Sequence, residues 1–298
     1  MSQSLPREDR SLVGLLIMCA AVTLFTAIDT SAKWLILAGL PPLQVVFLRY
    51  AGHFVFSLVV FVPREGAEAF LSVDPLKQAL RSSMLLGSTI LNFSALMFLP
   101  ITVTTAIMFA GPIAVTLLSI PILGEQVGIR RLTAVLVGFA GVLIVVQPWS
   151  ASFHPAMFFS LGAMLCASLY FVLTRFLAGR ETNATSQIWS SGLATILMVP
   201  VVFFEWAWPK TPSEVAICIL IGLFGALGHT SATAAHRFAD ASLLAPVVYL
   251  QLIFATIAGI AVFSQWPTIW TLVGALVIIG SGIYIWHRET RGAPPVRR

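Results

Sequence analysis

The chain contains ten apolar stretches, most of them about as long as a helix that crosses a lipid bilayer. Such a helix needs about 20 apolar residues. Hydrophobic residues make up 58% of the chain and charged residues 10%, whereas soluble domains carry about 25% charged residues. The sequence therefore predicts an all-α polytopic membrane protein with ten transmembrane helices. The stretches are 11–37, 42–62, 77–98, 101–121, 130–147, 155–178, 184–206, 213–236, 242–263 and 268–287.

The two halves of the chain resemble each other at a constant shift of 141 residues, which places Gly141 on Gly282. A repeat of half the chain length indicates two copies of one membrane unit. Five helices per half is an odd number, so the second copy enters the membrane inverted. We predict two inverted five-helix repeats, at 1–148 and 149–298, which can exchange between two mirror-like states as alternating access requires.

Basic residues fall almost entirely on one side of the predicted bundle. With a cytoplasmic N-terminus, fourteen of the 17 Lys and Arg residues lie inside, Lys210 lies outside, and Lys33 and Arg49 lie within the membrane. This bias predicts a multi-pass protein of the cell inner membrane with both termini in the cytoplasm. The net charge of +5 is thus a topology signal and does not indicate nucleic-acid binding. The inside set is Arg7, Arg10, Arg64, Lys77, Arg81, Arg130, Arg131, Arg175, Arg180, Arg237, Arg288, Arg291, Arg297 and Arg298.

Five polar side chains of the first three helices are expected near one depth. Asp29 and Lys33 are four residues apart and share one face of helix 1. At about 1.5 Å per residue, Arg49 of helix 2 reaches the depth of Asp29, His53 lies one turn deeper, and Asn92 of helix 3 lies at a similar level. A charge at the bilayer centre costs about 2.5–3.5 kcal/mol, so these groups must face water or each other. We predict that they bind substrate.

Two alternatives give these charges a structural role. Asp29 pairs with Lys33 or Arg49 only to hold helices 1 and 2 together, or Arg49 extends to the membrane interface. In the binding interpretation the three charges sum to +1. A positive cavity disfavours a cationic solute and suits an anion, a zwitterion or a neutral ring with carbonyl acceptors.

Aromatic and amide side chains of the second half are further candidates for the substrate site, namely Trp189, Tyr249 and Gln251. Aromatic faces stack on flat rings, and an amide adds hydrogen bonds. Helix packing and interfacial anchoring explain the same residues equally well. His229 lies deep in helix 8 and is a candidate proton relay or a hydrogen-bonded core histidine.

Three segments resemble those of EamA-type transporters, which belong to the drug/metabolite transporter superfamily. They are AIDTSAKWL (Ala27–Leu35), PLQVVFLRY (Pro42–Tyr50) and PILGEQ (Pro121–Gln126). The second half departs from the pattern, because Gln265–Trp266 stands where Gly124–Glu125 stands in the first half. The resemblance implies a ten-helix carrier with two EamA repeats. Helices 1 and 2 look most similar to bacterial uptake carriers for riboflavin or S-adenosylmethionine, and less similar to aromatic amino-acid exporters.

The chain contains no ATP-binding motif, and its histidines and cysteines lack metal-ligand spacing. We therefore expect a secondary transporter without a metal or cofactor, and not an enzyme. The expected partners are a small-molecule substrate and the lipid bilayer, and small residues on helices 5 and 10 also permit a homodimer. The alternatives are an exporter of amino acids or drugs, an integral membrane enzyme, and a structural subunit. An enzyme would require paired carboxylates or a metal set, and a structural subunit has no need for buried charges such as Asp29.

Overall fold

The computed structural model describes residues 11–123, 129–177, 179–239 and 241–292, and Gly124–Glu125 lies outside these ranges. Within them the chain forms ten membrane helices, which confirms the predicted all-α fold. Helix α4 consists of two segments, and a short helix (Ala241–Leu244) and a 3-10 turn (Ala245–Tyr249) precede α9. The helices are α1 (Ser11–Leu37), α2 (Pro42–Glu65), α3 (Pro75–Leu96), α4 (Ile101–Met108 and Gly111–Leu123), α5 (Ile129–Val146), α6 (Met157–Leu177), α7 (Asn183–Phe204), α8 (Pro212–Phe238), α9 (Leu250–Phe263) and α10 (Ile269–Gly292).

Local sequence signals explain where several helices begin. Pro42, Pro75 and Pro212 occupy the first turn, where the missing N–H group has no helical partner to lose. The Thr182 and Thr211 side chains cap α7 and α8 by accepting hydrogen bonds from backbone N–H groups of the first turn. These residues therefore fix where the helices begin.

Six helical segments, counted over the described residues, are long and apolar enough to cross a membrane. Shorter apolar helices cover Leu132–Val146, Val247–Phe263 and Ile269–Ile285. Helix α3 falls outside both groups, and it contains Lys77 and Arg81. A polar helix can lie in a membrane only where other helices surround it, and α3 packs against α6 and α7.

Helix packing follows the exchange expected for two copies related by a twofold axis. Exchanging α1 with α6, α2 with α7, α3 with α8, α4 with α9 and α5 with α10 maps the α1–α8 contact onto the α3–α6 contact. The α2–α7 and α5–α10 contacts map onto themselves. The two five-helix repeats therefore interleave, and each repeat supplies helices to the centre of the bundle. The boundary at residues 148 and 149 stays a prediction.

Glycines allow two of these helix pairs to approach closely. A Cβ atom on Gly222 would lie 2.6 Å from the Cα atom of Gly52, so α2 and α8 cross in direct backbone contact. A Cβ atom on Gly141 would lie 3.0 Å from the carbonyl oxygen of Gly274, which brings α5 against α10. Helices 5 and 10 thus use these small residues within one chain. The homodimer through them stays a prediction.

Candidate functional site

Arg49 lies at the centre of a polar cluster that α1, α2, α3 and α8 form inside the bundle. Its side chain is only 5% exposed, so it does not extend to the membrane interface. Its Nη1 atom donates to Thr89 Oγ1 at 3.1 Å, and its Nη2 atom lies 3.2 Å from His229 Nε2. Among the described residues, no carboxylate lies within ion-pair distance of this guanidinium. Its positive charge is therefore held by neutral partners.

The neighbouring residues fix the orientation of the Arg49 side chain. The guanidinium carbon lies 4.5 Å from the centre of the Tyr50 ring. The Tyr50 hydroxyl is hydrogen-bonded to Thr89 Oγ1 at 2.8 Å and donates to the Leu85 carbonyl oxygen at 3.1 Å. Because Thr89 also accepts from Arg49, α2 and α3 hold the guanidinium in a defined position.

The protonation state of His229 follows from its contact with Arg49. A guanidinium can only donate hydrogen bonds, so His229 Nε2 must accept, and the ring is neutral with its proton on Nδ1. The His53 ring stacks parallel to the His229 ring, with centroids 5.7 Å apart and an interplanar angle of 12°. The two imidazoles and the guanidinium therefore form one connected group between α2 and α8.

This group retains hydrogen-bonding capacity that the described part of the chain leaves unused. Arg49 Nε and both ring nitrogens of His53 are buried without a hydrogen-bond partner there. The Gln187 side chain approaches His53, but the geometry is not that of a hydrogen bond. Leaving buried polar atoms unpaired costs about 1–3 kcal/mol each. The arrangement is suited to a bound solute or water that supplies the missing partners.

Asp29 and Asn92 lie together, as their predicted depth indicated. Asn92 Nδ2 donates to Asp29 Oδ1 at 3.1 Å, and Asn92 Oδ1 is buried without a partner among the described residues. Neither Lys33 nor Arg49 forms an ion pair with Asp29 in that part of the structure. The described residues therefore contain no direct ion pair through which Asp29 would hold helices 1 and 2 together.

Lys33 is separated from this cluster. Its side chain is 2% exposed, and its Nζ atom donates to the carbonyl oxygen of Leu99. The same ammonium lies 5.5 Å from the centre of the Phe263 ring. Lys33 thus connects the end of α1 to the α3–α4 loop and to α9.

The three candidates of the second half lie in other surroundings. Trp189 Nε1 donates to the Phe70 carbonyl oxygen at 3.0 Å, in the loop after α2. Tyr249 packs edge-on against Phe109 with ring centres 5.3 Å apart. Gln251 is half-buried on α9 and forms no hydrogen bond within the described chain. Their roles in binding stay predictions, and none of the three has a described contact with Arg49.

Arg81 is a second buried arginine, which the sequence pattern does not predict. The positive-inside pattern assigns Arg81 to the basic residues of the cytoplasmic side. Its side chain is only 6% exposed and connects α3 to α6 and α7. Arg81 Nε donates to Thr174 Oγ1 at 2.7 Å, Nη2 to the Tyr170 hydroxyl at 2.9 Å, and Nη1 to Ser190 Oγ at 3.1 Å. The Nη1 atom also reaches the Ser186 carbonyl oxygen at 3.5 Å. Length and hydropathy could not distinguish this residue from an interfacial arginine.

Two sets of hydrogen bonds join the repeats at opposite ends of the bundle. At one end Glu181 accepts from the backbone N–H groups of Val73 and Asp74, at 3.0 and 3.3 Å; we name this the Glu181 latch. At the other end the Gln44 amide exchanges two hydrogen bonds with the backbone of Ala207, at 2.7 and 2.8 Å; we name this the Gln44 latch. The Glu181 latch connects a loop of each repeat, and the Gln44 latch connects α2 to the loop after α7.

Comparison with known proteins identifies the class of this fold. The profile of the EamA-like transporter family matches residues 12–147 and again 154–286. The chain belongs to the EamA-like transporter family. Each match covers one five-helix repeat, which agrees with the exchange of helix contacts described above. The chain is therefore an integral multi-pass membrane transporter.

Relatives of known function are similar over most of this EamA-family chain. A riboflavin transporter from Brucella anthropi is 29% identical over 286 residues, which cover 92% of this chain and 98% of the relative. An S-adenosylmethionine uptake transporter from Rickettsia bellii is 28% identical over 253 residues, 83% of this chain and 84% of the relative. A solved crystal structure is similar in fold, with a TM-score of 0.64, 17% identity, and coverage of 94% and 99% of the two chains.

Proposed function

We propose that this EamA-family protein is a secondary transporter that takes up a heterocyclic solute such as riboflavin across the inner membrane. The observation that supports the proposal most strongly is the unused hydrogen-bonding capacity of Arg49 and His53 inside the bundle. A protein that only fills the membrane would not retain a charged group with missing partners at that depth. A solute with polar ring atoms would supply those partners during transport.

The unused donor of Arg49 favours a riboflavin-like solute over S-adenosylmethionine. The Arg49 guanidinium has no contacting carboxylate among the described residues, so its free Nε–H group is available to donate to an acceptor on the solute. A neutral ring with carbonyl oxygens would accept this hydrogen bond. Relatives named for both solutes are similar to this chain, and the free donor of Arg49 supports riboflavin as our choice.

The two latches support an alternating-access cycle. Both join the two repeats, and they lie at opposite ends of the bundle. We infer that the Gln44 latch opens when the site faces outward and that the Glu181 latch opens when it faces inward. The positive-inside bias of the sequence supports a cytoplasmic position for the Glu181 latch.

Uptake of radiolabelled riboflavin by a riboflavin-auxotrophic bacterium tests this proposal. Cells that express the wild-type chain should accumulate label, and unlabelled S-adenosylmethionine in excess should compete poorly. Asp29→Asn keeps the shape of the side chain and removes its charge, and we expect it to reduce uptake. Lys210→Ala, outside the membrane, is the matched control and should transport normally at equal surface expression. No riboflavin uptake by the wild-type chain would overturn the choice of solute.

A further inference from the structure

Two glycines of α8 face α2, and only one of them is required for helix packing. At Gly222 an added Cβ atom would lie 2.6 Å from the backbone of Gly52, so a side chain there would push the helices apart. At Gly225 the nearest atoms to an added Cβ would be Arg49 Cγ at 3.7 Å, and Arg49 Nε and His53 Nδ1 at 3.9 Å. These are ordinary van der Waals distances, so alanine fits at this position.

Glycine at position 225 therefore costs stability without being required by packing. In a helix interior, glycine is about 1 kcal/mol less favourable than alanine. The absent methyl group leaves space beside Arg49 Nε and His53 Nδ1, and both nitrogens are buried without a partner among the described residues. We name this space the Gly225 niche. The same small space thus adjoins two polar atoms that lack hydrogen bonds.

We propose that the Gly225 niche is a subsite that receives a carbonyl or hydroxyl oxygen of the transported solute. The proposal rests on the proposed function, because it assigns part of the solute to one place in the same site. An oxygen in van der Waals contact with the Gly225 Cα atom, about 3.2 Å away, overlaps the volume of the absent methyl group and can reach the hydrogen-bond distance of about 2.9 Å from either nitrogen. Arg49 Nε can only donate, so the group in the niche must be an acceptor. An ammonium or a sulfonium group does not meet this requirement.

The niche also explains which part of the solute determines selectivity. The donors beside it are fixed, since Thr89 and His229 already hold the Nη atoms of Arg49. The free Nε atom is therefore held in place beside Gly225. A solute that lacks an oxygen at the corresponding position would leave Arg49 Nε unpaired, at a cost of about 1–3 kcal/mol.

Gly225→Ala tests the niche with a substitution that the packing tolerates. We expect the melting temperature of the purified variant to equal or exceed that of the wild type. The KM for riboflavin uptake should rise at least tenfold, while kcat at saturation changes less, because the methyl group occupies the position of the solute oxygen. Gly225→Ser should raise KM further, since its hydroxyl group can itself pair with Arg49 Nε or His53 Nδ1.

Gly87→Ala is the matched control. It lies on α3, where an added Cβ atom would contact only Cys166 Sγ at 3.5 Å, and we expect it to keep the wild-type KM. A wild-type KM in Gly225→Ala would overturn the niche. If Asp29→Asn still lost uptake, the proposed transport function would nevertheless stand. Equal rises in KM in Gly225→Ala and Gly87→Ala would also overturn the niche proposal, because they would reflect a general effect of replacing a helix glycine.

Discussion

Arg49 and Arg81 are both buried in the bundle without a contacting carboxylate among the described residues, but their hydrogen bonds differ. Arg81 uses all three of its nitrogens, and its partners lie on α6 and α7. Arg49 has two partners, and its Nε atom has none in the same part of the chain. The satisfied arginine joins the repeats, whereas the incompletely satisfied one can bind a solute. Burial alone therefore does not identify a binding residue, and the unused donor of Arg49 is the feature on which our proposal rests.

The largest effect on folding should come from Arg81→Ala. The substitution removes the guanidinium that donates to three side-chain hydroxyl groups on α6 and α7. Each lost hydrogen bond to a charged group is worth about 1.5–3 kcal/mol. We expect a loss of at least about 3 kcal/mol of stability and little correctly inserted protein, measured by surface expression and melting temperature. Normal expression and stability of this variant would contradict the structural role of Arg81.

Arg49→Lys should impair transport and leave the protein stable, which is the opposite of the effect expected for Arg81→Ala. Lysine keeps the positive charge, but it cannot reproduce the fork of the guanidinium or its Nε–H group. We expect kcat/KM for riboflavin to fall at least tenfold, about 1.4 kcal/mol, with a melting temperature within a few degrees of the wild type. A large loss of stability with unchanged kcat/KM would show that Arg49 is a structural residue like Arg81.

Thr89→Val should have a smaller effect, because it removes a partner of Arg49 and leaves the guanidinium in place. The lost bond is worth about 1 kcal/mol, so we expect KM to rise about fivefold. Thr116→Val is the matched control, since the buried Thr116 hydroxyl donates to the Pro112 carbonyl oxygen of its own helix and has no other partner among the described residues. Equal KM values in the two variants would contradict the orienting role of Thr89.

The smallest effect should appear at Asp74, which caps α3 ahead of Arg81. Hydrogen bonds from Lys77 hold the pKa of the Asp74 carboxyl below its usual range. The carboxylate therefore stabilises the fold at pH above about 4, the unfolded pKa, and this contribution is lost as pH falls through the lower folded value. The melting temperatures of wild type and Asp74→Ala should converge in acid, and riboflavin uptake should be equal at pH 7. A difference in melting temperature that stays constant at all pH values would contradict the stabilising role of the Asp74 carboxylate.

The sequence was sufficient for the helices and for part of the cluster. Lipid requires long apolar helices, so the ten spans followed from hydropathy, and helix pitch placed Asp29 and Asn92 at the level where they meet. The rotation of each helix about its own axis depends on packing, which one sequence does not specify. Lys33 therefore points to Leu99, and Trp189 to Phe70, instead of to the Arg49 cluster.

The partners of Arg49 illustrate the same limit. Thr89 is an ordinary helix residue in the sequence, and only the contact between α2 and α3 makes it a partner of Arg49. His229 was considered for its depth, but its place beside Arg49 depends on the close crossing of α2 and α8 at Gly52 and Gly222. A pair of facing glycines on helices that are distant in sequence was the one signal for this crossing, and it cannot be recognised before the helices are paired.

Ligand-induced thermal stabilisation of the purified protein tests most directly whether Arg49 belongs to a solute site. At a riboflavin concentration 100 times Kd, a ligand that binds the folded state adds about 2.7 kcal/mol of stability. We expect riboflavin to raise the melting temperature of the wild type and of Lys210→Ala, and to raise that of Arg49→Lys by about half as much or less, since a tenfold weaker affinity leaves about 1.4 kcal/mol of stabilisation. An equal rise in Arg49→Lys, or no rise in the wild type, would contradict the account.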